Sequence, residues 1–290
     1  MNPRLVILGG SGMLGHELWR YLSHRFPDTY TTLRGHRSQY GDFFLAPEAR
    51  VIDRIDVLDF GVLSGVLRAV NPDIIMNCVG ITKRITESGD KVRNIMVNSV
   101  FPYKLVELAA DLKSRVIHFS TDCVFSGDTG NYSDDALPDA RDLYGRTKAL
   151  GEALGDNVLI LRSSFIGREL HGKTELLEWF LSQNGTVRGF KNAIYTGFTV
   201  FELSRIVERM ITSYPDTSGL YNVSSEPISK YDLLKLIGET MHRETVVVPD
   251  ESFHCNRSLN SDKFRKDFAY YPPSWTEMVE ELSNRYEERI

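Results

Sequence analysis

Cysteine is scarce in this sequence, and the scarcity is informative. Cys78, Cys123 and Cys255 are far apart, odd in number and without metal-ligand spacing, so they argue against a disulfide framework and fit a reducing cytoplasm. Positive charge is not in excess either. The net charge is −5, which gives no reason to expect nucleic acid or an anionic membrane as a partner. No apolar run approaches membrane-spanning length, and there is no internal repeat or low-complexity segment. No signal-peptide pattern stands before the first strand, so the expectation is a cytoplasmic protein. What is present is ordinary for a globular chain: 290 residues, 42% hydrophobic and 25% charged, enough for one large or two modest domains.

The chain opens on Leu5-Val6-Ile7-Leu8, an apolar run that predicts a buried parallel strand. Glycines follow at 9, 12 and 15, and Leu14, Leu18, Tyr21 and Leu22 then recur on one helical face. A strand, a glycine-rich turn and a helix form a dinucleotide cradle, with Gly9 for the sharp exit, Gly12 for close approach to a pyrophosphate and Gly15 for helix–sheet packing. Gly9, Ser11, Gly12, Met13, Leu14 and Gly15 are therefore candidate cofactor residues, with the helix N–H groups facing the anion. The spacing G-x-x-G-x-x-G is the form found in extended short-chain dehydrogenases.

Strand and helix patterns alternate to about residue 165. A second strand over Thr29–Leu33 ends in Arg34-Gly35-His36-Arg37. An acid there would take the ribose hydroxyls of NAD; two arginines instead suit the 2′-phosphate of NADP, or are plain solvated charges. Residues 39–50 read as a loop, and Arg50–Val57 as a third strand entering a turn. Asp56 and Val57 stand where an acid and an aliphatic residue can touch adenine, and Asp56 also reads as the cap of a helix over 59–70. Cys78-Val79-Gly80 is a small-residue turn that would pass over the cofactor. Lys83 and Arg84 after it could meet a phosphorylated substrate or face solvent. A long helix is expected over 90–113 with Asn98 near its middle, either solvent-facing or supporting a proton-relay water.

Arg115–Phe125 is a strand ending in hydroxyl residues, and Tyr144 and Lys148 follow at the start of a helix. Four residues apart, Tyr144 and Lys148 share a helix face. Reduction of a ketone needs a proton for the developing alkoxide. A lysine cation one turn from a tyrosine draws the phenol toward a working pKa, and Thr121, or Ser120, can donate to the same oxygen. The pair can also be an ordinary surface pair.

Taken in order, Gly9–Gly15, Ser120-Thr121-Asp122-Cys123-Val124-Phe125, Tyr144-Gly145-Arg146-Thr147-Lys148, Gly219–Val223 and Arg257–Phe264 make the chain resemble the dTDP-4-dehydrorhamnose reductase family, over nearly its whole length. The resemblance implies a Rossmann-type doubly wound parallel sheet over residues 1–166, and a smaller substrate lobe over 167–290 gathered from non-consecutive segments. It implies Thr121, Tyr144 and Lys148 as the catalytic trio, and NADPH, or alternatively NADH, as cofactor. A nucleotide-sugar is the implied substrate, reduced at a 4-keto group. Asp122, Cys123, Ser164, Phe165 and Arg257 match positions bordering the sugar nucleotide, with Lys83 as a further candidate. Cys123 stands where the family usually has tyrosine, and the 79–84 loop departs from the family pattern. Both point to a sugar other than rhamnose's own precursor, such as a 2-acetamido-4-keto sugar on UDP or another 4-keto-6-deoxy sugar. Phe165 can equally be core, and Arg257 a surface charge. Glu17 matches one acidic position of a metal-linked dimer, but no metal site can be completed, and a homodimer remains open. Two other readings share these features: an epimerase or dehydratase with bound NAD, and a non-catalytic NADP-binding regulatory subunit. Helices are expected at 173–183, 199–213 and 229–241, and a charged amphipathic helix from Trp275 onward.

Overall fold

The four apolar residues Leu5–Leu8 form β1 and are wholly buried. The structure is a computed structural model that describes residues 2–44, 50–83 and 89–287; Arg84 lies outside them. Helix α1 (Met13–Ser23) follows, packing Leu14, Leu18, Trp19 and Leu22 inward. Strands β2 (Thr29–Thr32) and β3 (Val51–Ile52) come next, then α2 (Phe60–Val70) and β4 (Ile74–Asn77). The third strand is far shorter than expected, because Asp53–Val57 turns away at once. The cap of α2 is Asp59, whose carboxylate accepts from the Val62 amide, and not Asp56.

The expected helix over 90–113 is three pieces. Lys91–Ile95 (α3) and Phe101–Leu112 (α4) flank a π-helical turn at Met96–Val100. Such a turn inserts a residue into the helix and often marks a functional site. After β5 (Arg115–Ser120) come α5 (Leu143–Leu150) and β6 (Val158–Arg162). Residues 37–44, read in part as loop, form short helical turns that seat Phe44 in full burial, with its ring edge-on to Phe43 and Tyr40.

Beyond these lie β7 (Phe165–Ile166), α6 (Leu176–Leu181), β8 (Thr186–Tyr195), β9 (Phe198–Thr199), α7 (Val200–Thr212) and β10 (Gly219–Asn222). The chain closes with β11 (Ile228–Ser229), α8 (Lys230–Thr240), β12 (Val246–Asn256), α9 (Asp262–Phe268) and α10 (Trp275–Glu287). Helices α6, α7, α8 and α10 fall within the expected spans, α6 at about half its expected length, whereas α9 was not expected.

The main sheet has seven strands in the order β10-β6-β5-β4-β1-β2-β3. The pairs β1–β2, β1–β4, β2–β3 and β4–β5 are parallel. The run 3-2-1-4-5-6 is the doubly wound Rossmann order, with its ligand crevice where the order reverses beside β1. That is where the glycine-rich turn leaves the sheet.

The chain divides into two compact units. One comprises residues 1–120, 142–161 and 204–220; the other comprises 121–141, 162–203 and 221–290. The first is centred on a cluster including Val6, Leu8, Leu63, Leu67, Ile75, Val97, Phe101, Leu105, Val116 and Ile160. Each such side chain contributes about 1.5–3 kcal/mol by leaving water. The second unit has a three-stranded sheet, β11-β8-β12, with β8–β12 parallel and β11–β8 antiparallel, and an aromatic cluster of Tyr221, Phe264, Phe268 and Tyr270. Among the described residues no helix is long and apolar enough to cross a membrane.

Candidate active site

In the first unit, the turn after β1 has the geometry its glycines predict. Gly9 sits at φ +83°. A Cβ on Gly15 would strike the carbonyl of Gly9, so only glycine lets α1 start this close to the strand. Gly12 is the N-cap of α1, with no side-chain cap and no acid in the first turn. The helix therefore begins with N–H groups available to an anion and no carboxylate to repel it. Ser11 and Met13 are half-buried at this turn, whereas Leu14 points into the core. Glu17 is buried and held by Arg20 at 2.7 Å.

The arginines beyond β2 differ. Arg34 is exposed, and its charge helps hold the Asp56 carboxyl low against burial. Arg37 is engaged: its guanidinium lies 3.5 Å from Asp53 and donates to the Val51 carbonyl at 2.8 Å. Its amide and then its charge hold the Asp53 carboxyl below the usual range. Asp56 accepts from the Leu58 amide at 3.0 Å and from Arg93 at 2.6 Å. Val57 is buried in the core of this unit.

At the end of β4, Asn77 accepts from the Val79 amide (3.1 Å) and donates to His118 Nδ1 (3.0 Å). This fixes the Cys78-Val79-Gly80 turn. Burial, with the nearby Lys148 charge, pushes His118 well below its usual value, so the ring is neutral. Burial pushes the Cys78 thiol up, so it too is uncharged at neutral pH. Asn98 does not face solvent. It is buried in the π turn, where its Oδ1 accepts from the Ile81 amide (2.9 Å) and its Nδ2 donates to the Ile81 carbonyl (3.0 Å) and to Thr147 Oγ1 (3.3 Å). One side chain thus ties the loop after β4 to α5.

Helix α5 carries Tyr144 and Lys148 one turn apart. Asp142 caps it by accepting from the Gly145 amide at 2.8 Å, and its other oxygen takes Lys83 Nζ at 2.9 Å. Lys83, a candidate for substrate phosphate, is occupied with the cap of this helix. Tyr144 is half-buried and Lys148 is buried. Two tethers join the helix region to the last residues of β5. Lys148 Nζ donates to the Phe119 carbonyl at 2.8 Å, and Ser120 Oγ donates to Glu152 Oε1 at 2.6 Å. Ser120, the rival hydroxyl at this strand end, is thereby given a positioning job. Neither Glu152 nor Asp142 stood out in the sequence, although an aspartate two residues before Tyr144 is an N-cap signal.

Burial pushes the Lys148 ammonium down to about 8, against the opposing pull of Glu152. Two consequences of opposite sign follow. Between about pH 8 and 10 the folded chain has lost a proton the unfolded chain still holds, so this group's contribution to stability rises with pH. Turnover that depends on the ammonium should fall through the same window. Comparing the wild type with Lys148→Met, urea midpoints should diverge in favour of the wild type as pH rises from about 7 to 10, while wild-type turnover declines. A parallel course of the two midpoints would show that Lys148 does not titrate there.

In the second unit, the residues after β5 form a tight turn. Thr121 is buried; its Oγ1 accepts from the Cys123 amide (3.1 Å) and donates to Asp122 Oδ1 (3.1 Å). Arg257 is no surface charge: its Nε donates to the Phe125 carbonyl at 2.8 Å and its Nη1 lies 3.6 Å from Cys123 Sγ. Burial and then Asp122 push the Cys123 thiol up to about 12, so it stays a thiol. The Ser164 carbonyl accepts from the Phe198 amide (2.9 Å), and half-buried Phe165 lies in the β7–β9 ladder. The structure brings Thr121, Asp122, Cys123 and Arg257 together in this unit, and gathers Asn98, Tyr144 and Lys148 in the other.

Against known proteins, the family described as RmlD substrate binding domain matches residues 3–288. dTDP-4-dehydrorhamnose reductase of Escherichia coli is 25% identical over 97% of this chain and 97% of its own length. The Bacillus subtilis spore coat polysaccharide biosynthesis protein SpsK is 27% identical over 84% of this chain and 82% of its own. Among solved structures, dTDP-4-dehydrorhamnose reductase from Bacillus anthracis, in complex with NADP, superposes with a TM-score of 0.80 at 20% identity, covering 98% of this chain and all of that one.

Proposed function

This chain belongs to the RmlD substrate binding domain family, and from that premise we propose that it is a reductase of nucleotide-linked 4-keto-6-deoxy sugars, using NADPH, in the synthesis of polysaccharide precursors. The observation that carries the chemistry is the buried Lys148 ammonium, anchored to β5 one helical turn beyond Tyr144.

The glycine-rich turn fits a dinucleotide: the uncapped start of α1, free of acids, suits a pyrophosphate. Bound there, NADPH would supply the hydride for the carbonyl carbon. Tyr144 gives its Oη proton to the developing alkoxide. Lys148 lowers the cost of the phenolate left behind and holds the nicotinamide ribose. Thr121 polarises the sugar oxygen by turning its hydroxyl hydrogen away from Asp122. Glu152 keeps a negative charge beside Lys148, favouring the ammonium in a buried place. Cys123, Ser164, Phe165 and Arg257 border the sugar nucleotide, and Lys83 acts through the cap of α5 rather than on phosphate.

Arg34, exposed and near Asp56, is the residue we assign to the 2′-phosphate. Arg34→Ala should weaken NADPH about tenfold or more while leaving NADH nearly unchanged. Arg37→Ala should do less, because Asp53 and the Val51 carbonyl already hold that guanidinium. Fluorescence titration of both nicotinamides reads the difference; equal losses for the two would remove Arg34 from this role.

The activity itself is tested by following oxidation of NADPH with a panel of dTDP- and UDP-linked 4-keto-6-deoxy sugars. Oxidation with one of them is the expected result. NADPH binding without turnover of any sugar would overturn the reading in favour of a non-catalytic NADP-binding subunit.

A further inference from the structure

Tyr195 ends β8 in the second unit, with its side chain turned into the interior. It is 8% exposed, and its hydroxyl has no hydrogen-bond partner among the described residues. An orphaned hydroxyl in the interior forfeits its hydration without return, so a fold keeps one only for a reason. Space is made for it. Gly197 follows two residues later, and a Cβ there would collide with the Tyr195 hydroxyl and with the Ser164 carbonyl. The hydroxyl and the Ser164 carbonyl therefore both press on the Gly197 backbone and lie close to one another. The ionisable groups acting on Tyr195 are Asp122, Cys123 and Glu175. Asp122 and Cys123 flank the turn held by Thr121, so the orphan hydroxyl belongs to the same neighbourhood as the proposed sugar-contacting residues of this unit.

We propose that Tyr195 reads the sugar of the substrate, donating its hydroxyl hydrogen to an uncharged oxygen on the hexose ring. This rests on the reading of the chain as a nucleotide-sugar reductase. The ligand chemistry follows from the surroundings. Burial and then Asp122 push the phenol well above its usual value, so the group stays protonated and acts as a donor. Neighbours that are acidic or neutral disfavour the diphosphate at this point, and a sugar hydroxyl or ether oxygen suits it. Tyr195 is also kept from proton transfer, which leaves Tyr144 as the acid.

Tyr195→Phe separates recognition from structure, since it deletes one oxygen and preserves the ring and its packing against Trp275. Two measurements are made on the full chain. Urea unfolding should show the variant to be at least as stable as the wild type, because a buried unmet group has been removed. Turnover should show KM for the preferred sugar raised about 10- to 100-fold, with kcat nearly kept and the NADPH dissociation constant unchanged. Among sugars lacking one ring hydroxyl each, the one on which variant and wild type perform alike marks the oxygen that Tyr195 holds. A stable variant with wild-type KM on every sugar would overturn the assignment while leaving the reductase reading intact. A wild type that turns over and binds no nucleotide-sugar would overturn both.

Discussion

Tyr144→Phe is expected to lower turnover about 10²- to 10⁴-fold, the range a positioned general acid contributes, with little change in the affinity for NADPH. The substitution removes one oxygen from a half-buried ring on α5 and touches neither the cap at Asp142 nor the tethers at Lys148 and Glu152. The helix should keep its place, so what is lost is the proton and its route. The kinetic signature follows from where the proton is needed. It moves only as the alkoxide develops, so kcat and kcat/KM should fall together. Stopped-flow loss of nicotinamide absorbance, beside equilibrium binding of NADPH, measures both sides of the expectation. Retained turnover in this variant would sink the mechanism.

Gly15→Val is expected to abolish NADPH binding and to destabilise the fold. A Cβ at this position would meet the carbonyl oxygen and carbon of Gly9 and the Cα of Gly10. All of these are backbone atoms, and none can rotate aside. Helix α1 would have to withdraw from β1, carrying its first N–H groups away from the phosphate position, and overpacking of this kind costs about 1–3 kcal/mol or more. Gly65 on α2 supplies the contrast, because a Cβ there meets nothing within 4 Å. Gly65→Ala should be neutral or stabilising by about 1 kcal/mol. Urea midpoints and NADPH fluorescence on the two variants read the comparison. Wild-type affinity in Gly15→Val would place the cofactor elsewhere.

What the sequence made legible was encoded in short spacings. The glycines at 9, 12 and 15 and the pair Tyr144 and Lys148 each specify a local geometry within about one turn of helix, and a single sequence carries that information whole. What it hid depends on partners that only the fold supplies. Arg37 reads as a 2′-phosphate contact or a solvated charge until Asp53, 16 residues on, is folded against it. Lys83 reads as a phosphate contact or a surface charge until Asp142, 59 residues on, takes its ammonium. Asn98 reads as a solvent-facing residue or a support for a relay water, and the sequence hides its π turn, where it clamps Ile81 and Thr147. Phe44, in a stretch that reads as loop, is buried because short helical turns bring it under the rings of its neighbours. The orphan hydroxyl of Tyr195 could not be foreseen at all, since a missing hydrogen bond has no sequence pattern.

The alternation of segments between the two units has a consequence for the chain while it is being made. Residues 121–141 belong to the second unit, yet they leave the ribosome before most of it exists. The Asn131 amide donates to Ser258 Oγ, a partner 127 residues further on. At synthesis rates of about 5–20 residues per second, that segment waits roughly 6–25 s for its partner. The first unit waits as well, because it includes residues 204–220. Neither unit is a stretch that could be completed, excised or exchanged alone. The chain is committed to folding only after residue 258 has been made.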